Sequence, residues 1–195
     1  MRVLAALRNS DHRLTRRMAA WDSPWARQLL SPVEEAAEHT KLWWAAAVAM
    51  SVGGGWRGCK AAAAGISGMA VSELLSNGVA KKLVERRRPP KEWIPHDDVE
   101  DRPDSSSFPS GHTAAAVAFT AAVVPSWPWA GAACAVPTVL VAFERVHSGA
   151  HYPSDVAAVA TIGIAAATLV RKAPASLPAA WDGHESPAGD RRVAG

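Results

Sequence analysis

Five apolar runs, at 42–56, 61–80, 113–127, 129–143 and 156–170, contain a single charged residue, Glu73. That pattern leaves few folds open. The runs are rich in alanine, the best helix former, and too long for ordinary strands, so each reads as a helix. Several fall short of the roughly 20 residues that cross a bilayer at ~1.5 Å per residue. Yet Trp43, Trp44, Trp56, Trp93, Trp127 and Trp129 stand at segment ends, where an aromatic belt meets a membrane surface. Gly65, Gly68 and Ser72 give the second run a small face for close helix contact. Glu73 and Asn77 on that run require the bundle interior or a wet cavity. The prediction is an all-α membrane bundle of about five apolar helices.

A mean hydropathy of -0.02 hides this pattern, because charge gathers at the termini and in 81–104. The 195 residues suit one domain: a basic, amphipathic interfacial segment over 1–41, the bundle over 42–172, and a disordered tail over 173–195. In the first segment Ser31 reads as an N-cap, Pro32 as the first helical position and Glu34 as a first-turn acid. Arg8 interrupts the short apolar stretch at 3–7, so no signal peptide is expected. Cys59 and Cys134 read as small core residues. "GGGWRGCK" lacks the lysine of a P-loop and reads as a tight helix turn. A net charge of +3 and a pI near 9.1 suit an anionic partner.

Helix parity places three distant polar stretches at one end of the bundle. The second run ends at Lys81, the third begins after His112, the fourth ends at Arg145 and the fifth begins near Asp155. "KKLVERRRP", "SSSFPSGH" and "ERVHSGAHYPSD" therefore meet. Each suits phosphate chemistry. Lys81 and Arg88 share a helical face if the helix continues, and arginine offers a two-pronged donor fork to phosphate. Ser110 and Gly111 precede a helix whose first N–H groups face outward. His112 can pass a proton to a leaving oxygen. His151 stands just before the fifth helix, with Asp155 in its first turn to hold one imidazole nitrogen and leave the other free to attack.

These residues resemble the type 2 phosphatidic acid phosphatase (PAP2) superfamily, whose fold is shared with vanadium haloperoxidases. The likeness lies in Lys81, Arg88 and Pro89, in Pro109 to His112, and in Arg145, His151 and Asp155, and it makes 42–172 a PAP2-like phosphatase domain. It implies a membrane lipid-phosphate phosphatase acting on a phosphate monoester or diphosphate, of polyprenyl or phosphatidate type. His151 is then the nucleophile that forms a phosphohistidine, Asp155 its orienter, and His112 the acid and later the base. Lys81, Arg88, Ser110, Gly111 and Arg145 hold the phosphoryl oxygens. No metal or other cofactor is implied. Glu144 departs from the family's usual serine before the third-motif arginine, and is expected to point outward to Lys82 or Arg102.

Other residues read more plainly. Arg86, Arg87 and Lys91 face lipid headgroups, and no nucleic-acid partner is expected, since "ERRRPPK" follows an apolar helix and lacks interleaved aromatics. The acidic run 96–101 is a solvated loop tip, His147 is interfacial, and His39 and Glu73 are structural. Of the 21 lysines and arginines, 15 fall on the active-site side, which points that side to the cytoplasm. Two other readings stay open: a non-catalytic membrane scaffold or lipid-binding protein on the same fold, and a vanadate-dependent haloperoxidase.

Overall fold

The computed structural model describes residues 2–21, 23–95 and 105–173. The acidic run, Arg102 and residues 174–195 lie outside them. Among the described residues the regular elements are all helical. They are α1 (Arg2–Ala19), α2 (Pro24–Ala37), α3 (Lys41–Gly53), α4 (Gly55–Leu75), α5 (Lys81–Leu83), α6 (Gly111–Val123), α7 (Pro128–His147) and α8 (Pro153–Lys172). A 3₁₀ turn, Glu38–Thr40, leads into α3, and a π-helical turn, Ser76–Ala80, joins α4 to α5. The five apolar runs correspond to α3, α4, α6, α7 and α8.

α4, α6 and α8 pack on one another, with α3 against α4 and α7 against α6. Small residues allow this at backbone distance. A Cβ on Gly65 would stand 2.6 Å from the Phe119 ring, and one on Gly68 2.9 Å from the Ala118 carbonyl. The other layer is aromatic and aliphatic. Trp43 and Phe119 meet at 5.4 Å, among Met50, Met69, Val123 and Val141. Trp43 is therefore a core residue and not part of an interfacial belt, because its face of α3 turns toward α6. Trp44, Trp56 and Trp129 are exposed, as are Val52, Leu74, Val136 and Ile164. Such an outer surface suits lipid better than water. By length and composition α7 and α8, 20 residues each, are apolar enough to cross a membrane, while α6 is apolar but 13 residues long.

Three local readings need correction. α2 begins at Pro24, so Ser31 and Pro32 lie inside it and not at its start. Pro24 takes the first-turn position, where its missing N–H costs nothing. Cys134 is buried but Cys59, near the start of α4, is exposed. The α3–α4 turn is as tight as expected, since Gly55 takes φ +53° and a Cβ on Gly54 would meet the Trp127 ring at 2.4 Å. Finally, the helix does not continue from Lys81 to Arg88. Val84 is extended (φ −134°, ψ 112°), and Pro89 pushes Arg88 away from helical geometry.

α1 and α2 do not hang free. Both rest on α7, and α1 also touches α8. Leu30 of α2 and Asp11, Thr15 and Ala19 of α1 are buried there.

Candidate active site

The end of α5, the start of α6, the end of α7 and the start of α8 lie at one end of the bundle, as parity requires. Hydrogen bonds tie the three polar stretches together there. Arg88 donates from Nη1 to the Ala150 carbonyl at 2.7 Å and from Nε to the Ser105 carbonyl at 2.9 Å. The Ser107 N–H donates to the Arg86 carbonyl at 2.8 Å. Lys81 is exposed on α5, outside this web.

His151 sits in the short loop between α7 and α8 and is 5% exposed. Its N–H donates to the Arg145 carbonyl at 2.9 Å. Its Nδ1 bonds to the Ser107 carbonyl. A carbonyl only accepts, so Nδ1 carries the proton and Nε2 keeps its lone pair. Burial pushes the imidazole down to about 3, against the pull of the Ser107 bond, with the positive charges of Arg88 and Arg145 lowering it further. The ring is thus neutral at physiological pH. Asp155 has other partners: Oδ2 accepts the Tyr152 N–H at 3.0 Å, capping α8, and Oδ1 accepts from Arg86 at 2.6 Å. The imidazole is therefore held by the Ser107 carbonyl, and the Asp155 carboxylate that the sequence pairs with it is taken up by Tyr152 and Arg86.

Arg145 lies at the last turn of α7, held by two carboxylates. Nε bonds to Glu144, and Nη2 donates to Glu34 Oε1 of α2 at 2.6 Å. Glu144 is 3% exposed. Glu144 does not point outward to Lys82: burial at the helix end leaves it the adjacent guanidinium as its partner, and Arg102 lies outside the described residues.

Ser110 caps α6 and is buried, its Oγ donating to Thr113 Oγ1 at 3.0 Å. Gly111 opens on empty space, with nothing within 4 Å of where a Cβ would stand. It and His112 line a cavity of about 500 Å³ between α3, α4 and α6. Trp44, Ile66, Met69, Ala70 and Ala115 supply its apolar wall, and Glu38, His39, Glu73 and Asn77 its polar parts. Glu73 and Asn77 line this cavity as exposed residues, so of the two places expected for them they take the wet one and not the bundle interior. At the rim, His39 and Thr40 both take left-handed backbone angles (φ 51° and 59°). Non-glycine residues store strain there, a state common at ligand sites.

A family model described as PAP2 superfamily matches residues 61–177, more than half of the chain. The chain belongs to the PAP2 superfamily. Two solved structures share the fold. One is the first transmembrane PAP2-type phosphatidylglycerolphosphate phosphatase from Bacillus subtilis, 22% identical with a TM-score of 0.64 over 85% of each chain. The other is Aquifex aeolicus LpxE, 20% identical with a TM-score of 0.66 over 82% of this chain and 93% of that one. No curated protein matches.

In this PAP2 protein several site features escape a sequence reading. Arg86, read as facing lipid, is half-buried between Asp11 and Asp155. The Ser107 carbonyl is main chain and carries no side-chain signal. Glu34 comes 111 residues before Arg145. A legible hint existed for Arg86: the Pro89-Pro90 pair implies an extended approach, which puts residues 86 and 88 on one side of that stretch. His147, expected at an interface, is buried with Nε2 at 3.2 Å from the Trp21 carbonyl.

Proposed function

We propose that this protein is a multi-pass membrane phosphatase that hydrolyses a lipid phosphate monoester or diphosphate through a phosphohistidine. The observation that carries the reading is His151, neutral, with Nε2 unprotonated, beside Arg88 and Arg145. Nε2 attacks phosphorus as the P–O bond to the leaving group breaks, an ester bond in a monoester and an anhydride bond in a diphosphate, and His112 gives a proton to the departing oxygen. A bound phosphate dianion favours the protonated His112 this needs. His112 then takes a proton from water, whose oxygen attacks phosphorus and breaks the P–N bond. Phosphate leaves and both imidazoles are restored.

The other residues supply charge and position. Arg88, Arg145 and Lys81 offset the phosphoryl charge, and the N–H groups at Ser110 and Gly111 add to this from the start of α6. Asp155 holds the loop that carries His151. The apolar wall of the α3–α4–α6 cavity receives the first part of the lipid chain. α3, α4, α6, α7 and α8 form the membrane-embedded bundle, and the basic excess supports a site at the cytoplasmic face. Exposed Cys59, at the opposite end, then reacts with an impermeant thiol reagent on intact cells, and a cysteine placed at position 98 does not.

Phosphate release from dioctanoyl phosphatidate and from farnesyl diphosphate by the purified protein tests the activity. Release should survive EDTA and be inhibited by vanadate. His151→Ala should lower kcat by at least about a thousandfold, because no P–N bond can form. Near-normal turnover in that variant would refute the mechanism, and no release by wild type would favour a scaffold.

A further inference from the structure

Arg86 precedes Arg88 by two residues, and its bonds close a ring around His151. Its Nη1 donates to Asp155 Oδ1 at 2.6 Å and to Ser154 Oγ at 2.8 Å, and its Nη2 donates to Asp11 Oδ2 at 2.9 Å. The guanidinium carbon lies 3.9 Å from the centre of the Tyr152 ring. Asp11 is itself locked. It accepts the Ser154 N–H at 3.0 Å and the Ser154 hydroxyl at 2.5 Å, and it is 6% exposed. The main chain of Arg86 is equally engaged, with its carbonyl accepting the Ser107 N–H at 2.8 Å and its N–H donating to Ser106 Oγ at 3.0 Å.

Two arms leave residue 86 and reach His151 from opposite sides. The main-chain arm runs from the Arg86 carbonyl to the Ser107 peptide, whose own carbonyl holds His151 Nδ1. The side-chain arm runs from the guanidinium through Asp155 to the Tyr152 N–H, which fixes the peptide directly after His151. One residue thereby sets both the orientation of the imidazole and the position of the backbone that carries it.

We propose that Arg86, anchored by Asp11 of α1, is a positioning residue for His151 that works without touching phosphate. The proposal rests on the reading of His151 as nucleophile. It gives α1 a part in the site, beyond that of a basic arm at the membrane surface. A planar fork is required because two carboxylates must be bridged at fixed angles, which a single ammonium cannot do. Rate is sensitive to this, since misplacing a nucleophile by about 1 Å costs on the order of a hundredfold.

The test compares full-length wild type, Arg86→Lys, Asp11→Asn and the double variant in detergent micelles, with dioctanoyl phosphatidate as substrate and thermal midpoints measured alongside. Arg86→Lys should lower kcat by about thirtyfold or more while KM stays within about threefold. Asp11→Asn should lower kcat by about tenfold. The double variant should be no slower than Arg86→Lys, because both act through one unit. A merely structural role would lower the midpoint and leave kcat of the folded fraction unchanged. Overturning results are kcat within threefold of wild type in folded Arg86→Lys, or a raised KM with kcat intact, which makes Arg86 a phosphate ligand. Should Arg86→Lys fail to fold, the near-isosteric Asp11→Asn decides by the same kcat criterion. If wild type releases no phosphate, the phosphatase reading falls and takes this proposal with it; active wild type with unaffected variants sinks the Arg86 proposal alone.

Discussion

Arg86 and Arg145 are each held between two carboxylates, one from an N-terminal helix and one from the bundle. Arg86 bridges Asp11 of α1 and Asp155 of α8, whose side chains are 8% and 2% exposed. Arg145 bridges Glu144 and Glu34 of α2, whose side chains are 4% and 46% exposed. The chemistry is the same and the solvent is different. A guanidinium between two buried carboxylates is hard to open, because separation leaves an uncompensated buried charge. A contact to a half-exposed carboxylate opens easily, since water and salt take its place. On the proposed mechanism the first arrangement is a brace and the second a guard, with Glu34 occupying a seat that phosphate needs.

The strongest way to break this contrast is to remove the guarded arginine. Arg145→Gln should lower kcat/KM by about a thousandfold, mainly through weaker transition-state binding, as measured by phosphate release in micelles. An effect under tenfold would mean that its two carboxylates, and not phosphate, are its working partners.

Glu144→Ser should act in the opposite direction. At about 4 Å and an effective dielectric near 20, a buried carboxylate opposes a bound phosphate charge by up to about 4 kcal/mol. Part of that is lost to the reorganisation of Arg145, so kcat/KM should rise between about tenfold and a hundredfold. A fall would show instead that Glu144 aims the guanidinium at the substrate.

Glu34→Gln should give the smallest change, lowering KM by about threefold at low ionic strength and by less in half-molar salt. A salt-independent change would place Glu34 inside the site and not at its door.

The architecture was legible because it depends on period and composition. Alanine-rich runs with one charge among them form helices, and Gly65, Gly68 and Ser72 mark the close contact face wherever the neighbour comes from. Parity alone carried Lys81, His112, Arg145 and Asp155 to one end of the bundle. Smaller readings failed where a neighbour decided. Trp43 looks like its neighbour Trp44 in sequence, and only the direction of α3 against α6 buries one ring and exposes the other.

What the sequence determined by itself was the set of helices, their order and the shared end of three polar stretches, because local propensity and alternation act within a few residues. Which carboxylate meets which arginine belonged to the tertiary structure alone. Asp11 reaches Arg86 across 75 residues and Glu34 reaches Arg145 across 111. The packing of α1 and α2 on α7, and of α1 on α8, brings those groups together. No residue pattern encodes a bond from His151 to a main-chain carbonyl, since every residue has one. Burial then settled the rest: enclosed at the bundle end, Glu144 takes the adjacent guanidinium as its partner, because a buried charge left unpaired is costly.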